Sequence, residues 1–184
     1  MLKRLIFIIA LACLAEASVK AQYDPSYSHY WAMEPSFNPA SVGKDNKLNV
    51  VGAYGLDFSG YEHNPNTFYV GADMPLYFLK QYHGVGISIL NDKLGVFTHQ
   101  RISVQYAFRH HLFGGMLSAG VQAGMLFEKF DGSKLDPEEA SDPALTQSEV
   151  NGNSLDFGAG LYYTHRNWYI GASVQHFNSP LVEL

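Results

Sequence analysis

The chain has few charged residues, one cysteine and no apolar segment long enough to form a transmembrane helix. Charged residues make up 16% of its 184 residues, against about a quarter in an ordinary soluble domain. The longest apolar run, over residues 5–15, is shorter than the roughly 20 residues that a helix needs to span a bilayer. If the chain is inserted in a membrane, it must therefore cross it with strands.

The cysteine lies in an N-terminal segment that has the pattern of a secretory signal. A basic start, the apolar run and the small residues Val19 and Ala21 predict a signal peptide over residues 1–21. Lipoprotein processing at Cys13 is the alternative, although Ala10-Leu11-Ala12 is a poor lipobox. Cleavage after Ala21 would leave a mature chain without any thiol, which excludes stabilisation by disulfides.

Basic residues are scarce, and motifs for catalysis or for metal binding are missing. Lys and Arg number 12 against 17 Asp and Glu, a net charge of −5, which argues against a nucleic-acid partner because such partners need a basic face. The eight histidines form no helical HxxxH pair and none lies beside a cysteine. Neither a phosphate-binding glycine loop nor a nucleophile elbow occurs. The sequence predicts no cofactor, no metal and no enzymatic activity.

A strict alternation of apolar with small or polar residues dominates the rest of the chain. It predicts seven strands, over residues 48–59, 67–74, 84–89, 101–108, 117–128, 154–163 and 167–175. Several runs reach about 9–11 residues, the length with which a tilted strand crosses a bilayer. The pattern favours an all-β, antiparallel transmembrane β-barrel with its apolar face toward lipid and its small, polar face toward the lumen. A secreted β-sandwich is the soluble alternative.

The connections between these strands differ in length and charge. The longest, over residues 129–153, is acidic and is expected outside the cell, whereas the links at residues 110–114 and 165–166 are short and expected in the periplasm. Residues 91–94 form a short external link that fits this scheme less well. Because bacterial barrels normally have an even number of strands, we expect residues 47–184 to be the N-terminal half of a larger barrel, or to contain an eighth strand.

Residues 22–46 form a polar lead-in that precedes the first strand. Three prolines and a glycine forbid a regular helix there, so extended segments and turns are predicted. The lead-in resembles the start of the PorP/SprF family, membrane proteins of the type IX secretion system. The residues that carry the resemblance are Asp24, Pro25, Asn38, Pro39, Ala40 and Gly43. The resemblance extends over essentially the whole mature chain.

The resemblance implies a role in secretion rather than a reaction. Such proteins lie in outer-membrane lipids, help to export or anchor secreted proteins, including gliding adhesins, and associate with a periplasmic ring and peptidoglycan-binding components. On this basis, the six lead-in residues are expected to dock these partners or to plug the periplasmic mouth of the barrel. The alternative is that the lead-in only tucks into the barrel and stabilises it. A passive porin or scaffold, and less so a barrel enzyme, are the other functions considered.

Overall fold

The structure, a computed structural model, describes residues 29–57, 64–132 and 149–178. The predicted signal peptide lies outside these ranges, as do the lead-in residues Asp24 and Pro25. Within them, no helix is long and apolar enough to cross a membrane.

Seven strands form one antiparallel sheet in which each strand pairs with the next along the chain. They are β1 (Asn49–Leu56), β2 (Asn66–Phe78), β3 (Gln81–Leu94), β4 (Phe97–Leu112), β5 (Gly115–Asp131), β6 (Glu149–His165) and β7 (Trp168–Val174). The sheet curls into half of a barrel. The predicted fold class is therefore confirmed, and every strand candidate corresponds to one of these strands.

Most strands are longer than the sequence pattern predicts. Residues 129–131 continue β5 and residues 149–153 begin β6, so the connection between them is shorter than expected, and its residues 133–148 lie outside the described ranges. Residues 91–94 similarly end β3, and residues 110–112 end β4. The prediction was wrong at these ends because the backbone ladder continues after the apolar alternation has stopped.

The two ends of the sheet carry different connections. At one end, called here the turn end, residues 79–80, 113–114 and 166–167 form two-residue hairpin turns. Positive φ angles at Leu79, Lys80 and Phe113 (50°, 60° and 49°) are those that tight hairpins require. At the other end, the loop end, β1 ends at Leu56 and β2 begins at Asn66, residues 95–96 join β3 to β4, and β5 ends at Asp131 while β6 begins at Glu149. The connection between β5 and β6 is the longest of the three, in agreement with the sequence prediction.

The two faces of the sheet differ in chemistry, as β4 illustrates. Its convex side chains are apolar and largely exposed: Ile102, Val104, Tyr106 and Phe108. Its concave side chains are polar or small and buried: Arg101, Ser103, Gln105, Ala107 and Arg109. Val104 is 56% exposed, whereas the adjacent Ser103 is 1% exposed. Since the concave residues are the buried ones, something must cover that face.

The lead-in covers the concave face. Residues 29–46 cross the inside of the curled sheet as three single 3-10 turns joined by irregular segments, at Tyr30–Ala32, Glu34–Ser36 and Pro39–Ser41. Between the first two turns, Met33 packs against Tyr69 and Leu90 of the sheet, and all three side chains are buried. Within residues 29–46, this agrees with the expectation that the lead-in contains no regular helix.

Candidate functional site: the lead-in on the concave face

A row of residues without bulky side chains crosses the middle of the concave face. Gly84, Ala107, Gly120 and Gly160 come from four successive strands and lie directly opposite one another in the register of the sheet. We call these four residues the small-residue row. Because they leave no side chains above the sheet, another backbone can approach them closely.

The lead-in backbone lies directly on the small-residue row. A Cβ atom added at Gly120 would overlap backbone atoms of Pro39 and Ala40, and one added at Gly84 would overlap the Val42 carbonyl. At Gly160 the added atom would overlap Oδ1 of Asn38. Residues 38–43 therefore run across the strands, from β6 towards β3, in a track that only very small residues leave open.

Side chains nearer the turn end hold the lead-in by its carbonyl groups. The Ser118 hydroxyl donates a hydrogen bond to the Ala40 carbonyl at 2.6 Å. The Arg109 guanidinium donates one hydrogen bond to the Gly43 carbonyl and another to the Lys44 carbonyl. These donors satisfy carbonyls that would otherwise be buried without a partner, at a cost of about 1–3 kcal/mol each.

Side chains on the loop-end side of the row hold the lead-in from the opposite side. Gln105 donates from Nε2 to the Pro35 carbonyl at 2.6 Å, and Gln175 donates to the Ser36 carbonyl at 2.9 Å. The backbone N–H of Gly43 donates to the Asp73 carboxylate at 2.7 Å. The lead-in is thus held on both sides, by side chains of β2, β4 and β5 and by Gln175 in the segment after β7.

The motif Asn38-Pro39-Ala40 has a physical reason at each position. Asn38 caps the third turn, since its Oδ1 accepts from the Ala40 N–H at 2.9 Å, and its amide donates to the Leu161 carbonyl at 3.2 Å. Pro39 stands at the first position of the turn, where a missing N–H costs nothing. Ala40 is 1% exposed against Gly120, which leaves no room for a larger side chain.

Gly43 and an ion pair fix the end of the lead-in. Gly43 has a φ of 66°, and an added Cβ would lie 2.7 Å from Cα of Gly84, so both its conformation and its position require glycine. Lys44 pairs with Glu34 at 2.6 Å. Glu34 is 4% exposed, and this pairing compensates for burying its charge.

Comparison with known proteins identifies the family. The model of the family described as "Type IX secretion system membrane protein PorP/SprF" matches residues 19–184. The chain belongs to the PorP/SprF family. No curated protein and no solved structure matches it. The resemblance inferred from the lead-in is confirmed, and the protein is a membrane component of the type IX secretion system.

The contact residues of this PorP/SprF protein are largely ones that the sequence pattern does not single out. Four of the six predicted lead-in residues, Asn38, Pro39, Ala40 and Gly43, come together on the concave face. The residues that receive them, such as Arg109, Ser118 and Gly120, are scattered over separate strands. The signal for them is weak: polar residues and glycines recur at alternate positions of neighbouring strands, but which of them meet depends on the register.

The described histidines of this PorP/SprF protein pack against neighbouring side chains rather than cluster. Among the described residues, no group of three or more His, Cys, Asp or Glu could hold a metal ion. His83, for example, stacks on Phe78 and lies 2.7 Å from the Tyr106 hydroxyl. It has a packing role within an aromatic cluster on the convex face.

Proposed function

We propose that this chain acts in the bacterial outer membrane as the β-barrel component with which the type IX system exports or anchors secreted proteins, gliding adhesins included. Family membership is the observation that carries the proposal. The predicted signal peptide over residues 1–21, which would export the chain, supports it. A non-enzymatic role agrees with the family description, which names a secretion component.

The apolar band on the convex face supports insertion in a bilayer. On β5 the convex apolar positions run from Leu117 to Phe127, and the polar Lys129 follows. Ten steps of about 3.4 Å span roughly 34 Å along the strand, or about 24 Å across the membrane at a tilt of 45°. Outer-membrane barrels present an apolar band of about 25 Å. In this arrangement the turn end lies in the periplasm and the loop end outside the cell.

The position of the lead-in favours a plug over an open channel. A passive porin needs a water-filled lumen, but here the lead-in backbone occupies the small-residue row and is held by donors on both sides. We propose that the lead-in fills the barrel and fixes its wall. Lys44 and Asp45 then lie at the periplasmic mouth, beside the surface on which ring and peptidoglycan-binding components dock.

Replacing Asn38 and Pro39 together by alanine should weaken the recovery of periplasmic partners several-fold while membrane insertion is kept. The change removes the cap of the third turn, worth about 1 kcal/mol, and lets the lead-in shift beside the docking surface. The measurement is quantitative mass spectrometry of proteins copurified with a tagged chain from detergent-solubilised outer membranes. Asn153→Ala, an exposed change near the loop end, is the control. Normal recovery with the double variant would contradict a docking role for the motif.

The same purification of the wild-type chain tests the proposed function. Ring lipoproteins or an OmpA-like peptidoglycan binder should copurify, and deletion of the gene should stop the export of a subset of secreted proteins. A protein recovered alone, which conducts ions in planar bilayers, would instead favour a passive porin. Absence of the chain from the membrane fraction would contradict both the secretion role and the porin role.

A further inference from the structure

The turn end of the sheet is basic, although the chain as a whole is acidic. Its basic side chains are Lys44, Lys47, Lys80, Arg109 and Arg166. The described carboxylates at this end are Asp45 and Glu34, and Glu34 is buried in its pair with Lys44. The loop end has the opposite balance, because Asp57, Asp92, Glu128, Asp131 and Glu149 outnumber the described bases there, Lys93, Arg101 and Lys129. Charge is therefore divided between the two ends of the sheet.

A cavity of about 440 Å³ opens at the turn end, on the concave side and next to the end of the lead-in. Lys44, Arg109, His111 and Arg166 line it, with Asp45 as the described carboxylate on its wall. Arg109 is only 8% exposed and already donates to the Gly43 and Lys44 carbonyls, so it contributes positive charge to the cavity rather than free donors. Arg166 forms no salt bridge within the described part of the chain. The cavity thus has a positive balance, and the exposed Arg166 supplies the donors that no described carboxylate occupies.

The walls of the cavity suit a peptide rather than a lone ion. Tyr162 and Tyr169 stack with their ring centroids 5.4 Å apart, and both line the cavity together with Met116. These walls offer a bound peptide apolar contacts beside its charged groups. Arginine side chains in such a setting recognise acidic motifs. In the proposed membrane arrangement, lipid headgroups meet the convex face, and the sheet separates them from this cavity.

We propose that this cavity binds an acidic peptide segment of a periplasmic protein. The proposal rests on the proposed function, because it assumes that the turn end faces the periplasm. It adds which chemistry the docking surface recognises. It places the contact beside the lead-in, at Arg166 and His111, rather than on the buried motif Asn38-Pro39-Ala40. The lead-in contributes through Lys44, whose position follows from its pair with Glu34.

A fluorescent hexaglutamate peptide is the probe, and its anisotropy is measured with the full purified chain in detergent. The variant Arg166→Asn/His111→Gln removes two donors that form no hydrogen bond or ion pair with the described lead-in, and Asn tolerates the φ of 44° at position 166. The control is Lys80→Asn, at another hairpin position of positive φ on the same end, outside the cavity. Hexaserine tests for binding that does not depend on charge.

We expect hexaglutamate to bind, to bind about tenfold more weakly to the double variant and to be released by salt, because fixed charge pairs dominate the contact. Lys80→Asn should leave binding unchanged. Equal binding to all three proteins, or competition by phosphatidylglycerol vesicles as strong as that by the unlabelled peptide, would overturn the proposal. Partner recovery with the wild-type chain is measured in parallel: if it persists while hexaglutamate fails to bind, the cavity proposal alone is wrong, and if it is also lost, the proposed function fails.

Discussion

Replacing Gly120 by valine is expected to expel the lead-in from the concave face. The added Cβ would overlap backbone atoms of Pro39 and Ala40, and backbone cannot turn aside as the end of a long side chain can. Overpacking of this kind typically costs 1–3 kcal/mol, and displacement also breaks the hydrogen bond from Ser118 to Ala40. The population of chains with a released lead-in should therefore rise on the order of tens of fold.

Limited trypsin digestion of the detergent-solubilised protein measures this release, because Lys44 and Lys47 lie where the lead-in ends. In the wild-type chain Lys44 is held by Glu34, and its cleavage should be slow. The control is Gly52→Val on the convex face, where an added Cβ would lie 3.7 Å from the nearest atom, an ordinary contact. Wild-type cleavage rates in Gly120→Val would contradict a seated lead-in. If both variants resist extraction from membranes by urea, both are folded. Faster cleavage of Gly120→Val then reflects release of the lead-in rather than failure to fold.

The strands that form the barrel wall are predictable from the sequence, because successive side chains of a strand point to opposite faces and so alternate in character with a period of two. Val104 and Tyr106 alternate with Ser103 and Gln105 in the sequence, and the structure places the first pair on the convex face and the second on the concave face. The strand ends are less predictable. At residues 129–131 and 149–153 both faces are polar or mixed, so the sequence loses the alternation while the backbone pairing continues.

The surface that receives the lead-in could not be predicted, because it is assembled from residues far apart in the chain. Gly84, Gly120 and Gly160 form a track only once four strands have paired in one register, and no local pattern specifies that register. Family resemblance did point to Asn38-Pro39-Ala40. The physical reason for the motif, a capped turn lying on glycines, follows only from the folded sheet.

The second large effect is expected on the opposite face. Replacing Val104 by arginine puts a charge in the middle of the convex apolar band, where Val104 is 56% exposed. In an outer-membrane barrel an arginine at the bilayer midplane costs about 2–4 kcal/mol and near the interface only about 0–1 kcal/mol. Gln100→Arg is the matched control, because Gln100 shares the strand and the face but lies beyond the apolar residues, near the loop end.

The measurement is the urea concentration that extracts half of each variant from isolated membranes. With a slope of about 2 kcal/mol per molar, Val104→Arg should lower that midpoint by about 1–2 M, and Gln100→Arg by less than about 0.5 M. The difference between the two variants carries the argument, since both add the same charge to the same face of β4. An equal and small effect of both variants would mean that the convex face does not meet lipid. The secreted β-sandwich would then be the better explanation of the apolar–polar alternation in the sequence.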